Sequence, residues 1–304
     1  SRPRLALNGC IRMAQPEAIS AAATLSDWGS PEILDLIRRA LEEDIGAGDR
    51  TSSATVAATA RAAGEIVAKQ DLVLAGLPLA EGVWRSLDPS LRLEAQRTDG
   101  AWVSSGAMVA RLRGPARALL AGERVALNFL QHLSGIATWT RQLVLAVAGT
   151  KARIRDTRKT IPGLRRLEKY AVRLGGGENH RFGLFDGILI KENHIALAGS
   201  VRRAIELARE KSPEVPLEVE VRNEAELDEA VAAGAPLVLL DNMSAGQVRA
   251  CVLRAGGLVK MEVSGAINAG NIRAYAEAGA DYIAVGALTH SAPAADLSFL
   301  CKPE

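Results

Sequence analysis

Residues 153 to 194 of this 304-residue chain hold ten Lys or Arg against five Asp or Glu, a local surplus of +5 where the whole chain carries only +2. The cations sit at informative places. Arg158 and Lys159 follow a short apolar stretch, and Lys191 directly follows Gly-Ile-Leu-Ile. Between them His180 and Arg181 stand in a glycine-led loop, with His194 just beyond. Guanidinium forks match planar oxyanions and Lys adds point charge, so this set suits a ligand with several carboxylates or phosphates. The competing reading is a solvated basic face, which the placement directly after apolar runs disfavours. On the acidic side, Glu220 closes Leu-Glu-Val-Glu-Val, where Glu218 and Glu220 share one side of a strand, so one of them must be buried or face a ligand. Asp241 closes Leu-Val-Leu-Leu and could equally be a turn residue before the helix that Ser244 caps. Together Glu220 and Asp241 put two carboxylates on successive strand ends opposite a cationic wall, which is the oxygen-donor set that Mg²⁺ on a substrate's phosphates needs.

Two turns of small residues, Ser264-Gly265-Ala266 and Val285-Gly286-Ala287, are predicted at the starts of the last two helices, where backbone N–H groups can hold a phosphate. Gly175-Gly176-Gly177 fits neither a GxGxxG nor a Walker loop and reads most simply as a helix C-cap run. His180 is either a satisfied core histidine or, beside Arg181, a hydrogen-bond donor to substrate. Cys251 falls in a helical stretch and Cys10 and Cys301 near the termini, so covalent nucleophilic catalysis is not expected.

The elements that must carry these groups are legible from residue 151 onward. Apolar runs at Ala152 to Arg155, Gly187 to Ile190, Leu217 to Val221, Leu237 to Leu240, Leu258 to Val263 and Tyr282 to Val285 read as strands covered on both faces. Capping patterns at Asn223/Glu226 and Ser244/Gln247, and glycines 234, 256 and 279, bound the intervening helices. A faint repeat reinforces the pattern: Gly234 precedes Asp241, Gly257 precedes Ser264 and Gly279 precedes Gly286, each by seven residues. Alternating strands and helices predict a parallel sheet, barrel-like and incomplete at six strands, with ligands at the C-terminal strand ends.

Upstream, Ser30-Pro31 opens a helix that stops at Gly46 and Gly48. Glu65 to Val73, Leu91 to Arg97 and Met108 to Arg113 predict an antiparallel sheet, and Pro115 to Gly149 a helical region with a break at Gly135. Residues 1 to 28 begin with Ser and lack periodicity, as a processed leader would. With 48% hydrophobic and 24% charged residues the chain has the balance of a folded protein, and its length predicts two domains. No apolar run is long enough for a membrane helix, and the near-neutral charge with 4% aromatics argues against a nucleic-acid binder. Three cysteines far apart form no disulfide framework, and a reducing, cytoplasmic compartment is expected.

The run Asp156-Thr-Arg-Lys-Thr160, then Pro162-Gly-Leu-Arg, Glu168-Lys-Tyr-Ala-Val172, Gly175-Gly-Gly177, His180-Arg181, Leu189-Ile-Lys191 and Asn193-His194, resembles the signature of the quinolinate phosphoribosyltransferases, also called nicotinate-nucleotide pyrophosphorylases (carboxylating). Glu218 to Val221, Leu240-Asp-Asn242, Glu262 to Gly265 and Gly286-Ala-Leu-Thr-His290 continue it, so the likeness runs from about residue 30 to 299. Ile161 stands where Thr is common and Ala266 where a second Gly often sits. The resemblance implies an N-terminal α/β sandwich over residues 29–134, an open α/β barrel over 135–289 and a segment 290–304 packing back on the first domain. It implies transfer of phosphoribosyl from phosphoribosyl pyrophosphate to quinolinate, with Mg²⁺, releasing pyrophosphate and CO₂ and giving nicotinate mononucleotide for NAD synthesis. By the same likeness Thr157, Arg158, Lys159, His180, Arg181 and Lys191 hold substrate, with Lys159, Lys191, Glu220 and Asp241 as the catalytic set. Glu220 and Asp241 lie on the ribose and metal-pyrophosphate side, touching the metal directly or through water or pyrophosphate. Ser264, Gly265, Ala266, Val285, Gly286, Ala287 and His290 line the phosphate end. Arg124 matches an arginine contributed by the neighbouring subunit of a homodimer or larger assembly. A phosphoribosyltransferase for nicotinate, with one carboxylate, and a non-catalytic protein that kept the fold are the competing readings.

Overall fold

A computed structural model describes residues 27–304, so nearly all of the leader assigned to residues 1–28 lies outside the described residues. Ser30 and Pro31 start α1 (Pro31–Ile45), which turns Ile33, Ile37 and Leu41 inward. The chain continues through α2 (Arg50–Thr55), β1 (Arg61–Ala68), β2 (Leu72–Val73), α3 (Leu77–Leu87), β3 (Arg92–Ala95), β4 (Trp102–Val103), β5 (Met108–Pro115) and α4 (Ala116–Ala146). Two features depart from expectation. The run 65–73 is not one strand, because Leu72 and Val73 leave the main sheet for a separate ladder with β4. A helix, α3, stands where no element was predicted, burying Leu79, Val83 and Trp84.

Gly135 does not break α4, which runs through it for 31 residues. The glycine instead marks a crossing: a Cβ there would lie 2.2 Å from the Pro293 carbonyl oxygen and 3.0 Å from the Ala294 Cα. The segment passing over it leads into the last strand. Ser134 Oγ and Thr138 Oγ1 on the same helix accept the N–H groups of Ala75 (3.0 Å) and Val73 (2.9 Å), so buried backbone that pairs in no long strand is satisfied by the helix.

The remaining elements alternate as the sequence pattern predicts: β6 (Arg153–Arg155), α5 (Arg165–Leu174), β7 (Ile188–Ile190), α6 (Glu192–Ala198), α7 (Val201–Lys211), β8 (Leu217–Val221), α8 (Glu224–Ala232), β9 (Leu237–Asp241), α9 (Ala245–Ala255), β10 (Lys260–Ser264), α10 (Ile272–Glu277), β11 (Tyr282–Ala284), α11 (Ala287–His290) and β12 (Leu297–Pro303). Strands β6 to β11 form one parallel sheet in the order β6-β11-β10-β9-β8-β7, an open barrel that does not close between β7 and β6. Gly234, Gly257 and Gly279, the first members of the seven-residue repeat, all have positive φ at helix ends, so the repeat is a repeated turn geometry. Leu258, expected in β10, lies outside the strand and exposed. The other sheet is antiparallel, β12-β1-β5-β3. The C-terminal strand thus pairs with β1, from Ala68↔Leu297 to Ala62↔Pro303.

Replacing Gly135 by Ala sets a helix-propensity gain of about 1 kcal/mol against a clash with backbone that cannot rotate away, for which overpacking costs of about 1–3 kcal/mol are typical. The clash should win, and thermal unfolding of Gly135→Ala is expected several degrees below the parent. An unchanged or raised midpoint would show that segment 293–295 is free to move.

Candidate active site

The strand-end groups converge at the mouth of the parallel sheet. After β6 the chain turns at Asp156, fully buried, into the loop carrying Thr157, Arg158 and Lys159. Thr157 Oγ1 accepts from Lys159 N (3.0 Å), and Lys159 O accepts from Thr289 Oγ1 (2.8 Å), which ties this loop to the turn after β11. A Cβ on Gly286 would meet Lys159 Cδ at 2.9 Å and His290 Nε2 at 3.3 Å, so Lys159, Gly286 and His290 share one corner. The Lys159 side chain makes no ion pair among the described residues.

Arg158 and Arg181 form the next part of the wall. The Nε of each is buried without a partner among the described residues, while Arg181 Nη1 donates to Gly187 O at 2.8 Å. Burial, and then the neighbouring Arg158 guanidinium, hold Arg181 below its usual range. Two adjacent guanidiniums with unmet donors are a demand for an anion.

The acidic side meets this wall directly. Lys191 Nζ contacts Glu220 Oε2 at 2.9 Å, and His180 Nε2 contacts Glu218 Oε2 at 2.8 Å and Glu262 Oε1 at 3.6 Å. Glu218 and Glu220 are both buried, as their shared face requires, and the register sets Glu220, Leu239, Glu262 and Tyr282 side by side across four strands. Burial pushes the Glu220 carboxyl up despite Lys191, and Asp241 pushes it the same way. Glu262 is fully buried, and burial with the Glu218 charge pushes it up to about 7. Its one permanently charged partner among the described residues is Arg155, whose Nη1 lies 2.6 Å from Glu262 Oε2 while its guanidinium stacks 3.6 Å from the Tyr282 ring centroid.

Several expectations change at this level of detail. His180 is not a free donor: its Nδ1 accepts from Arg181 N (2.8 Å), so Nε2 carries the proton and gives it to Glu218. Ser264-Gly265-Ala266 does not start a helix, because residues 265–271 form a loop before α10. Val285 N–H is taken by Arg155 O (2.9 Å), which leaves Gly286 and Ala287 to open the short α11. Gly175 does cap α5, packed against Ala137 O and Thr140 of α4. Asp241 keeps one hydrogen bond, from Asn242 Nδ2 (2.8 Å), and Arg124, half-exposed on α4, meets only Glu123 at 3.8 Å. Glu262 was named only as the start of the matching stretch Glu262 to Gly265 and was given no role, although a glutamate inside Met-Glu-Val, on the face that register shares with Glu220, was its signal. A cavity of about 380 Å³ runs along the free edge of β7, lined by Ile188, Ile190, Ala198 and Leu207 together with Arg181 and His194.

An open parallel barrel with a cationic and an acidic wall at its strand ends defines an enzyme-like fold for polyanionic ligands. Comparison with known proteins specifies it further. Residues 136–300 match the family model of the quinolinate phosphoribosyl transferase C-terminal domain, and residues 49–134 match that of the N-terminal domain. The chain is 46% identical over 282 residues to the nicotinate-nucleotide pyrophosphorylase (carboxylating) of Mycobacterium leprae, covering 90% of this chain and 98% of that one. It is 44% identical over 268 residues to a probable enzyme of that name from Bacillus subtilis, covering 88% and 92%. The crystal structure of NadC from Streptococcus pyogenes superposes with a TM-score of 0.86 at 42% identity, over 90% of this chain and 97% of that one. The chain belongs to the quinolinate phosphoribosyltransferase family.

The buried carboxyl of Glu262 makes a stability prediction whose sign is fixed. With a value near 7 in the fold against 4.5 for the free group, the folded chain keeps a proton that the unfolded chain releases, so this contribution is complete below pH 4.5 and is lost as pH rises through 7. The loss is on the order of 3 kcal/mol at ~1.4 kcal/mol per pH unit. Urea unfolding of Glu262→Gln between pH 5 and 7.5 is expected to lack this decline. A parallel decline in variant and parent would place the titration elsewhere.

Proposed function

We propose that this chain forms nicotinate mononucleotide from quinolinate and phosphoribosyl pyrophosphate at the mouth of the open barrel, with loss of pyrophosphate and CO₂, as its family does. The observation that carries the reading is the pair of Nε groups on Arg158 and Arg181, buried without a hydrogen-bond partner on side chains that make no ion pair among the described residues. Quinolinate's two ring carboxylates supply the missing acceptors in planar geometry. Lys159, beside Gly286 and His290, is placed for the phosphates of the other substrate, and the family likeness assigns Ser264, Gly265, Ala266, Val285 and Ala287 to that end.

Glu220 and Asp241 offer only oxygen donors, and Lys191 offsets just one of the two charges, so the pair fits a hard divalent cation. Mg²⁺ held there, directly or through water or pyrophosphate, would neutralise charge on the departing pyrophosphate. The chain's own groups do the rest. The bond between ribose C1 and pyrophosphate breaks through an oxocarbenium-like state that Glu220 and Asp241 stabilise electrostatically, while Lys159 and Lys191 balance the leaving oxygens. The ring nitrogen then bonds to C1. Its positive charge draws in the electron pair left when the adjacent carboxylate departs as CO₂, and a proton takes that carboxylate's place. Holding both substrates in line removes most of the entropic barrier, and the guanidiniums fix the ring's orientation.

The assembly is a homodimer in this reading, with Arg124 of one chain completing the site of the other. Arg124's exposure and lack of any partner beyond Glu123 support that role. The enzyme works in the cytoplasm, the compartment that the cysteine usage favours, and no described helix is long and apolar enough to cross a membrane. Two experiments test these statements. Product formation with Mg²⁺ should require quinolinate rather than nicotinate and fall about 10²–10³-fold in Lys159→Ala, the scale of losing one charge-stabilising group; turnover of nicotinate, or an unaffected Lys159→Ala, overturns the assignment. Mixing inactive Arg124→Ala with inactive Lys159→Ala should restore about a quarter of the parent activity, since random pairing gives half heterodimers with one intact site each. No recovery after verified subunit exchange would place Arg124 in its own chain's site or outside any site.

A further inference from the structure

The two cation-bearing loops at the barrel mouth are separated in sequence by α5, and that helix has two adjacent charged residues that are both buried, Glu168 and Lys169. A helix rarely buries one such group without use, and neighbours on a helix point about 100° apart. Here they reach different loops. Glu168 Oε1 is held by His132 Nε2 of α4 (2.9 Å), and its Oε2 accepts the N–H of Ile161 (3.1 Å), two residues past Lys159. Lys169 Nζ pairs with Asp156 and also donates to His180 O at 3.0 Å. Asp156 Oδ1 in turn accepts His180 N (2.9 Å), so the buried pair grips both the N–H and the C=O of the residue before Arg181. The Asn179 amide, turned so that its nitrogen meets acceptors, adds bonds to Asp156 Oδ2 (2.7 Å) and Lys169 O (3.0 Å).

We propose that Glu168 and Lys169 are a pair of positioning residues, Glu168 fixing the loop of Arg158 and Lys159 and Lys169, through Asp156, fixing His180-Arg181, so that one helix sets Arg158 and Lys159 at a fixed distance from Arg181 and thereby the spacing of the guanidinium wall. Neither residue touches substrate. Arg165 on the same helix supports the arrangement by bonding Thr160 Oγ1 (2.9 Å), Arg158 O (3.3 Å) and Phe182 O (3.1 Å), which joins the two loops to one turn of α5. The assignment of the two ends to two substrates rests on the function proposed above.

The test is a split in kinetics. Glu168→Ala should raise KM for both substrates about tenfold, since its loop carries Arg158 of the carboxylate wall as well as Lys159 of the phosphate corner, with Glu168→Gln, which keeps an acceptor for Ile161 N, restoring most of the loss. Lys169→Met should raise KM for quinolinate about tenfold and leave that for phosphoribosyl pyrophosphate within about twofold. Where that variant leaves Asp156 buried and unpaired and fails to fold, Asp156→Asn/Lys169→Met carries the same expectation, and His132→Ala does so for Glu168. Amide hydrogen exchange reads the braces without any substrate: Glu168→Ala should speed exchange at 158–161 and not at 179–182, and the Lys169 variants should speed it at 179–182 and not at 158–161. Equal rises in both KM values in the Lys169 variants, or exchange that quickens in both loops together in either variant, overturns the proposal. Parent enzyme inert toward both substrates, with the exchange pattern intact, would instead sink the proposed function and leave the braces standing.

Discussion

Everything in the catalytic half of this protein depends on keeping charge inside an open barrel. Asp156, Glu168, Lys169, Glu218, Glu220 and Glu262 are all buried, and an ion in such surroundings costs several kcal/mol unless it is paired and hydrogen-bonded. The chain meets this by interlocking opposites, Asp156 with Lys169, Glu220 with Lys191 and Glu262 with Arg155, and by hydrogen bonds from His180 to Glu218 and from His132 to Glu168. Among the described charged groups the compensation is incomplete at the Nε atoms of Arg155, Arg158 and Arg181 and at one oxygen each of Glu218 and Glu262. The unmet donors of Arg158 and Arg181 belong to the two loops that follow the strand ends, where an anionic ligand can answer them. The unmet carboxylate oxygens are deep, and a proton on Glu262 relieves them.

This arrangement explains why the barrel is coupled to the rest of the chain. Helix α4 spans both halves: its hydroxyls satisfy backbone near β2, its Gly135 lets segment 293–295 cross, and its His132 holds Glu168. The crossing segment leads β12 back to β1, so the two sheets are laced together by the same helix that backs the site. Substrate-facing loops on such a frame have fixed backbones, which is what positioning two polyanions against each other demands.

Much of this was legible in the residues, for physical reasons that differ from part to part. Parallel strands covered on both faces read as apolar runs, so all six were found, with boundaries off by one or two residues where Leu258 proved exposed. Arg158, Lys159, Lys191, Glu220 and Asp241 were visible because each ends or follows such a run. Helix α3 was not visible, since Leu-Pro-Leu-Ala-Glu-Gly carries both Pro and Gly and its burial is decided by Ile37 and α4 packing around it. Gly135 was misread because a glycine that admits a crossing chain looks, in sequence, like one that ends a helix. His180 was placed in the site and given the wrong partner, since its tautomer depends on Arg181 N and Glu218, which only the fold brings to its two nitrogens. Glu262 escaped because one glutamate in a strand carries no sign of the two charges packed against it.

The central claim is that the mouth of the barrel has two ends, a guanidinium wall for a dicarboxylate and a Lys159–Gly286–His290 corner for phosphates, with the carboxylates of Glu220 and Asp241 between them. The most direct measurement is a crystal structure with quinolinate, an unreactive analogue of phosphoribosyl pyrophosphate and Mn²⁺, located by its anomalous signal. The account requires ring carboxylates on the Nε groups of Arg158 and Arg181, phosphate oxygens at Lys159 and Gly286, and the metal beside Glu220 and Asp241. Quinolinate seated away from the Arg158 and Arg181 guanidiniums, or a metal remote from both carboxylates, would contradict it.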